Sequence, residues 1–157
     1  MNLIGIASKI VKNNKSYFDE AIKDFSENSL HESLIVNPFP TSMVSVPVYH
    51  GSRSKNVNKL RRPNEGVWFA MTSGWVDDLY TADGKGEVLT CWINVVNPYY
   101  PTEDENYEYY GRMNIIGKFF QKLEKLGFDS YYQGMESESI AVFKNVEIIN
   151  ALTGENL

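Results

Sequence analysis

The run Val88-Leu89-Thr90-Cys91-Trp92-Ile93-Asn94-Val95-Val96 constrains the chain more than any other segment. Its β-branched and aromatic residues favour a pleated strand, and Asn97-Pro98 stops it, so the chain must build a sheet around this element. Other strands are expected near it. Pro38, Pro40 and Pro47 exclude a helix over 35–48, and Val44, Val46 and Val48 alternate, which predicts a strand running into Tyr49-His50. Gly66–Met71, Ser139–Phe143 and Val146–Asn150 read as further strands.

Helical periodicity appears elsewhere. Leu3, Ile6, Ala7, Ile10 and Val11 form one stripe, broken at Asn13-Asn14. Ser16 reads as an N-cap with Asp19 at the third helical position, ahead of the apolar face Phe18, Ala21, Ile22 and Phe25. Asp77–Ala82 is expected to be helical, with Asp77-Asp78 favouring its start through the helix dipole. Ile115, Ile116, Phe119, Phe120, Leu123 and Leu126 mark a long amphipathic helix closed by Gly127. The acidic, tyrosine-rich stretch Tyr99–Tyr110 reads as an exposed loop and a candidate surface for macromolecular contact. The order predicts an α+β domain over 35–157 with an N-terminal helical hairpin, 1–34, packed on it as one compact unit.

Bulk properties narrow the chemistry. The 157 residues suit a single core, and a net charge of −5 opposes nucleic acid as the main partner, because phosphate binding needs a positive footprint. Lys59, Arg61 and Arg62 form the one dense basic cluster, read as a solvated loop. Cys91 is the only cysteine, set in the apolar run, so a buried structural thiol is expected. With two histidines, His31 and His50, no metal-ligand spacing arises, and Gly84-Lys85-Gly86 reads as a turn. No secretory signal or span-length apolar stretch is present, which points to a cytoplasmic setting.

Tyr49-His50-Gly51-Ser52-Arg53 sets an imidazole, a main chain without Cβ and a hydroxyl side by side. Gly51 lets a flat ligand approach the backbone, whose amide and carbonyl suit a carboxamide. Tyr80 follows the Gly66–Met71 strand and can offer an aromatic face.

His50-Gly51-Ser52-Arg53 with Asn56 resembles the H-G-S-R-x-x-N motif of the poly(ADP-ribose) polymerases, and Gly66-Val67-Trp68-Phe69-Ala70 resembles their G-x-Y-F-A strand. Tyr80 stands where their stacking tyrosine falls. Asn97-Pro98, Leu126-Gly127-Phe128-Asp129, and a last strand ending in Phe143 before Ile148 are similar to compact phage and bacterial members of the H-Y-E, diphtheria-toxin-like branch of ADP-ribosyltransferases. The resemblance spans residues 46–150. It implies a split, strongly bent antiparallel sheet with NAD in its cleft, as the substrate of a mono-ADP-ribosyltransferase. His50 would bind the nicotinamide-side ribose and Gly51 the carboxamide, with Ser52 assisting. Tyr80 would stack on the nicotinamide ring, and Arg53, Phe69 and Ala70 would line the NAD site.

The family's glutamate stands four residues before the terminal aromatic, where this chain has Ser139. Three candidates follow for the third catalytic position: Glu138 re-aimed by a bulge, which is favoured, Ser139 in place of the acid, or Glu136 from the preceding loop. The expected acceptor is a protein rather than a nucleic acid, and the compact type suggests an effector of a phage or mobile element. Rival readings are an NAD glycohydrolase, an RNA 2′-phosphotransferase-like enzyme, and a catalytically silent binding module.

Overall fold

The computed structural model describes residues 33–134 and 138–157. The two N-terminal helices expected before residue 34, His31 and Glu136 lie outside these residues. The described part is an α+β fold built on one seven-stranded sheet. Its elements in chain order are β1 (Val48–Ser52), β2 (Val67–Ala70), α1 (Gly74–Thr81), β3 (Glu87–Ile93), β4 (Pro98–Tyr99), α2 (Glu103–Tyr109), α3 (Met113–Lys125), β5 (Ser130–Gln133), β6 (Ser139–Val142) and β7 (Ile148–Asn150). The strands lie in the order β4-β5-β6-β2-β1-β3-β7. All neighbours are antiparallel except β4 and β5, so the sheet is mixed rather than wholly antiparallel.

Element limits differ from the sequence expectations for identifiable reasons. Val44, Val46 and Val48 are all buried, yet pairing begins only at Val48, after Pro47 has removed an N–H. Strand β3 ends at Ile93 instead of Val96. The amides of Val96 and Asn97 turn away to the Asp129 carboxylate, at 2.7 and 3.0 Å, and the Asn97 side chain donates to the Gly127 carbonyl at 2.8 Å. The Asn97-Pro98 and Leu126–Asp129 segments are thus one structural joint. Helix α1 starts at Gly74, three residues before the expected Asp77.

Tyr99–Tyr110 is not the exposed loop its composition suggested. Tyr99 and Tyr100 are buried, and Thr102 and Glu105 form a capping box that starts α2. Glu105 also accepts from the Tyr99 hydroxyl at 2.9 Å, and burial together with this carboxylate holds the Tyr99 phenol well above its ordinary range. The basic cluster is divided too. Lys59 and Arg61 are exposed, but the Arg62 guanidinium donates to the carbonyls of Val146 and Leu157, at 2.8 and 3.0 Å.

Packing explains the rest. Helix α3 presents Ile116, Phe119, Phe120 and Leu123 to Tyr99, Tyr131 and Phe143, and Gly127 with φ +92° ends its last turn. On the sheet's other side, Val48, Phe69, Cys91, Ile140 and Ile148 share a core. Cys91 is fully buried, as expected, and burial pushes its thiol up to about 12.

Candidate functional site

The sheet nearly parts between β1 and β2. They share one register pair, Tyr49 with Ala70, whereas β1 and β3 share five. Two residues further along each strand the register would set Gly51 opposite Trp68. That pair does not form, because the His50 ring reaches the Trp68 carbonyl with Nδ1 at 2.8 Å. A carbonyl only accepts, so Nδ1 carries the proton and Nε2 is left as an acceptor. Burial outweighs this hydrogen bond and lowers the imidazole's pKa, which keeps the ring neutral near pH 7.

A cleft of about 360 Å³ opens at this gap. The structure brings His50, Gly51, Phe69, Ala70, Tyr80 and Ser139 together in its wall. Tyr80 arrives from α1 with its ring laid on the Gly51 main chain. A Cβ at Gly51 would fall inside that ring, 2.6 Å from Cγ and closer still to two other ring carbons. Gly86 secures the same approach from behind, since a Cβ there would meet the carbonyl oxygens of Tyr80 and Ser52. A glycine is therefore required at both positions by crowding, not by an unusual φ.

Ser52 and Arg53 stand outside the cleft wall. Ser52 Oγ accepts from the Ser54 amide at 3.1 Å, and the exposed Arg53 guanidinium lies 5.5 Å from the Tyr80 ring centre, a cation–π distance. Asn56 adopts φ +59°, a left-handed turn conformation that asparagine tolerates better than most residues.

At the third position the geometry is plain. Ala70 pairs with Ser139, and the Met71 amide donates to the Glu138 carbonyl at 3.1 Å, so the register continues through Glu138 with no bulge. Ser139 lines the cleft and Glu138 does not. Tyr110, Gly111 and Met113 from the α2–α3 elbow complete the wall with Gln133 from β5. The sequence reading missed these. The Thr102–Glu105 capping box was the available signal for α2 and hence for the elbow, while nothing local marks Gln133.

No Asp, Glu, Lys or Arg lines the cleft among the described residues, and with His50 neutral the described part of the wall carries no charge. Its volume lies in the roughly 300–1,000 Å³ range of small-molecule sites. No cluster of His, Cys, Asp and Glu that could hold a metal ion occurs among the described residues, and none of their helices is long and apolar enough to cross a membrane. The chain matches no protein-family model, no curated protein and no solved structure.

Proposed function

We propose that the protein is a mono-ADP-ribosyltransferase that takes ADP-ribose from NAD, with the fold of the H-Y-E branch and its sheet split at the β1–β2 gap. One observation carries the reading. His50 and Gly51 from one sequence motif and Tyr80 from another position line one cleft where the β ladder stops. The absent Gly51–Trp68 pair leaves main chain available to a carboxamide, and Tyr80 supplies a face for a flat cationic ring.

In this reading the nicotinamide ring lies against Tyr80 and hydrogen-bonds the Gly51 backbone. His50 Nε2 accepts from a hydroxyl of the adjoining ribose. The bond between C1′ and the nicotinamide nitrogen breaks, and its electron pair leaves with nicotinamide. A lone pair of the acceptor forms the new bond to C1′, and the acceptor's proton passes to solvent. Positive charge grows on the ribose meanwhile, and polar groups already oriented around it lower the barrier. The protein acceptor and the effector role remain part of this proposal.

A second reading has its own observation. The described cleft wall contains no carboxylate to meet that positive charge, which favours a module that binds NAD without turning it over. Nicotinamide release from NAD, measured with and without host-cell lysate, separates the readings. Release or protein labelling that needs lysate and is lost in His50→Ala and Tyr80→Ala supports the transferase. Lysate-independent release supports a glycohydrolase, and NAD binding without release supports the silent module. If the wild-type protein neither binds NAD nor releases nicotinamide, the proposal fails.

A further inference from the structure

Gln133 is the polar side chain whose position the NAD-site motifs leave unexplained. It is 92% buried, being only 8% exposed, and it lies in the cleft wall. Burying an amide this deeply is costly unless its hydrogen bonds are met. Yet the Gln133 carboxamide makes no side-chain hydrogen bond among the described residues, and the residue lines the cleft. A buried amide in that condition is matched to something that enters the cleft.

Its neighbour indicates what enters. Gln133 on β5 is the direct cross-strand partner of Ser139 on β6, and both line the cleft. Directly opposed residues hold their side-chain roots about 5 Å apart on one face of a sheet. The Gln133 amide therefore offers a donor and an acceptor, both neutral, beside Ser139. A phosphate is a poor match, since a charged group would be desolvated against a wall with no cation among its described residues. Two adjacent hydroxyls, each donating and accepting once, are a good match.

We infer that Gln133, beside Ser139, binds the cis-diol of the ribose whose glycosidic bond is broken. The inference rests on the NAD reading and adds to it a residue on β5 that reads the sugar. The amide accepts from one hydroxyl and donates to the other, so the ribose is held from the β5–β6 side while His50 holds it from β1.

The test uses two non-hydrolysable carbocyclic NAD analogues, one with both hydroxyls on its nicotinamide-side ring and one with neither. Their binding is followed by calorimetry. At about fivefold per neutral hydrogen bond, two to Gln133 and one to His50, the wild-type protein is expected to prefer the diol by about a hundredfold. Gln133→Met keeps the length and removes the polar atoms, and is expected to lower the preference to about fivefold. A thermal melt of the variant establishes that it is folded. An unchanged preference in folded Gln133→Met overturns the inference. So does a wild-type protein that binds both analogues equally, a result that needs no variant and leaves the NAD site standing. Failure of the wild-type protein to bind either analogue or NAD overturns the NAD reading itself, and this inference with it.

Discussion

His50 donates its Nδ1–H to the carbonyl of Trp68 at 2.8 Å, at the point where their two strands leave one another. The bond satisfies a carbonyl that the β1–β2 ladder would otherwise have taken, so the sheet can open without leaving that group unmet. It also fixes the tautomer, with Nε2 as the acceptor. One side chain thereby props the cleft open and defines the hydrogen-bonding character of its wall.

That arrangement predicts a pH dependence. His50 has a folded pKa below its ordinary 6.5, because burial disfavours the charged ring. Below 6.5 the unfolded chain takes up a proton that the folded chain refuses. The contribution to stability is therefore present in full above that pH and is lost as pH falls from 6.5 towards the lowered folded value. Urea unfolding of the wild type and His50→Gln between about pH 5 and 8 should show a steeper decline for the wild type. Parallel curves would mean that the ring is protonated equally in both states.

The contact between Tyr80 and Gly51 makes a second prediction. Gly51→Ala drives a Cβ into the Tyr80 ring, and overpacking of this kind costs about 1–3 kcal/mol. In Tyr80→Ala the obstructing ring is gone. Adding Gly51→Ala to that background should cost at least about 1 kcal/mol less than it does in the wild type. Denaturant melts of the four proteins measure the coupling directly. Additive losses would show that Tyr80 can swing clear of Gly51.

Much of this was legible in the sequence, and the limits have physical causes. The Val88–Val96 run did mark β3 through its β-branched and aromatic residues, and the α3 stripe placed its helix within two residues because it reports burial on a regular period. β5 was missed because Ser-Tyr-Tyr-Gln is buried on both faces between β4 and β6, so it shows no alternation. Tyr99–Tyr110 misled because acidic residues at the first turn of α2 resemble a solvated loop, although the Thr102–Glu105 spacing carried the correct signal. The cleft residues His50, Gly51 and Tyr80 could be named from motifs. Tyr110, Met113 and Gln133 join them only through tertiary packing, which no local pattern encodes.

Cys91 should be chemically silent in the native protein. Its thiol is fully buried and pushed up to about 12, so almost no thiolate exists near pH 7. A maleimide or disulfide reagent should label it only after unfolding, at a rate that follows denaturant concentration. Rapid labelling of the native chain would require an opening of the sheet at β3 that its ladders with β1 and β7 oppose.

The strongest test of the cleft adds a group to it. Ser139 lies in the wall in unbroken register with Ala70, and no carboxylate stands there among the described residues. Ser139→Glu would set a negative charge where the ribose becomes positive as nicotinamide leaves. Single preorganised groups of this kind are worth about 10²–10³ in rate, and imperfect placement reduces that, so a gain of at least about tenfold in nicotinamide release is expected. The buried charge should also lower stability by about 1–3 kcal/mol, which a melt would register. Glu138→Gln serves as the control. Its side chain is outside the cleft wall, so release should be unchanged. Loss of release in Glu138→Gln would instead make Glu138 the working acid and require β6 to shift on binding NAD. If Ser139→Glu binds NAD as the wild type does but releases nicotinamide no faster, the cleft is not built around the anomeric carbon.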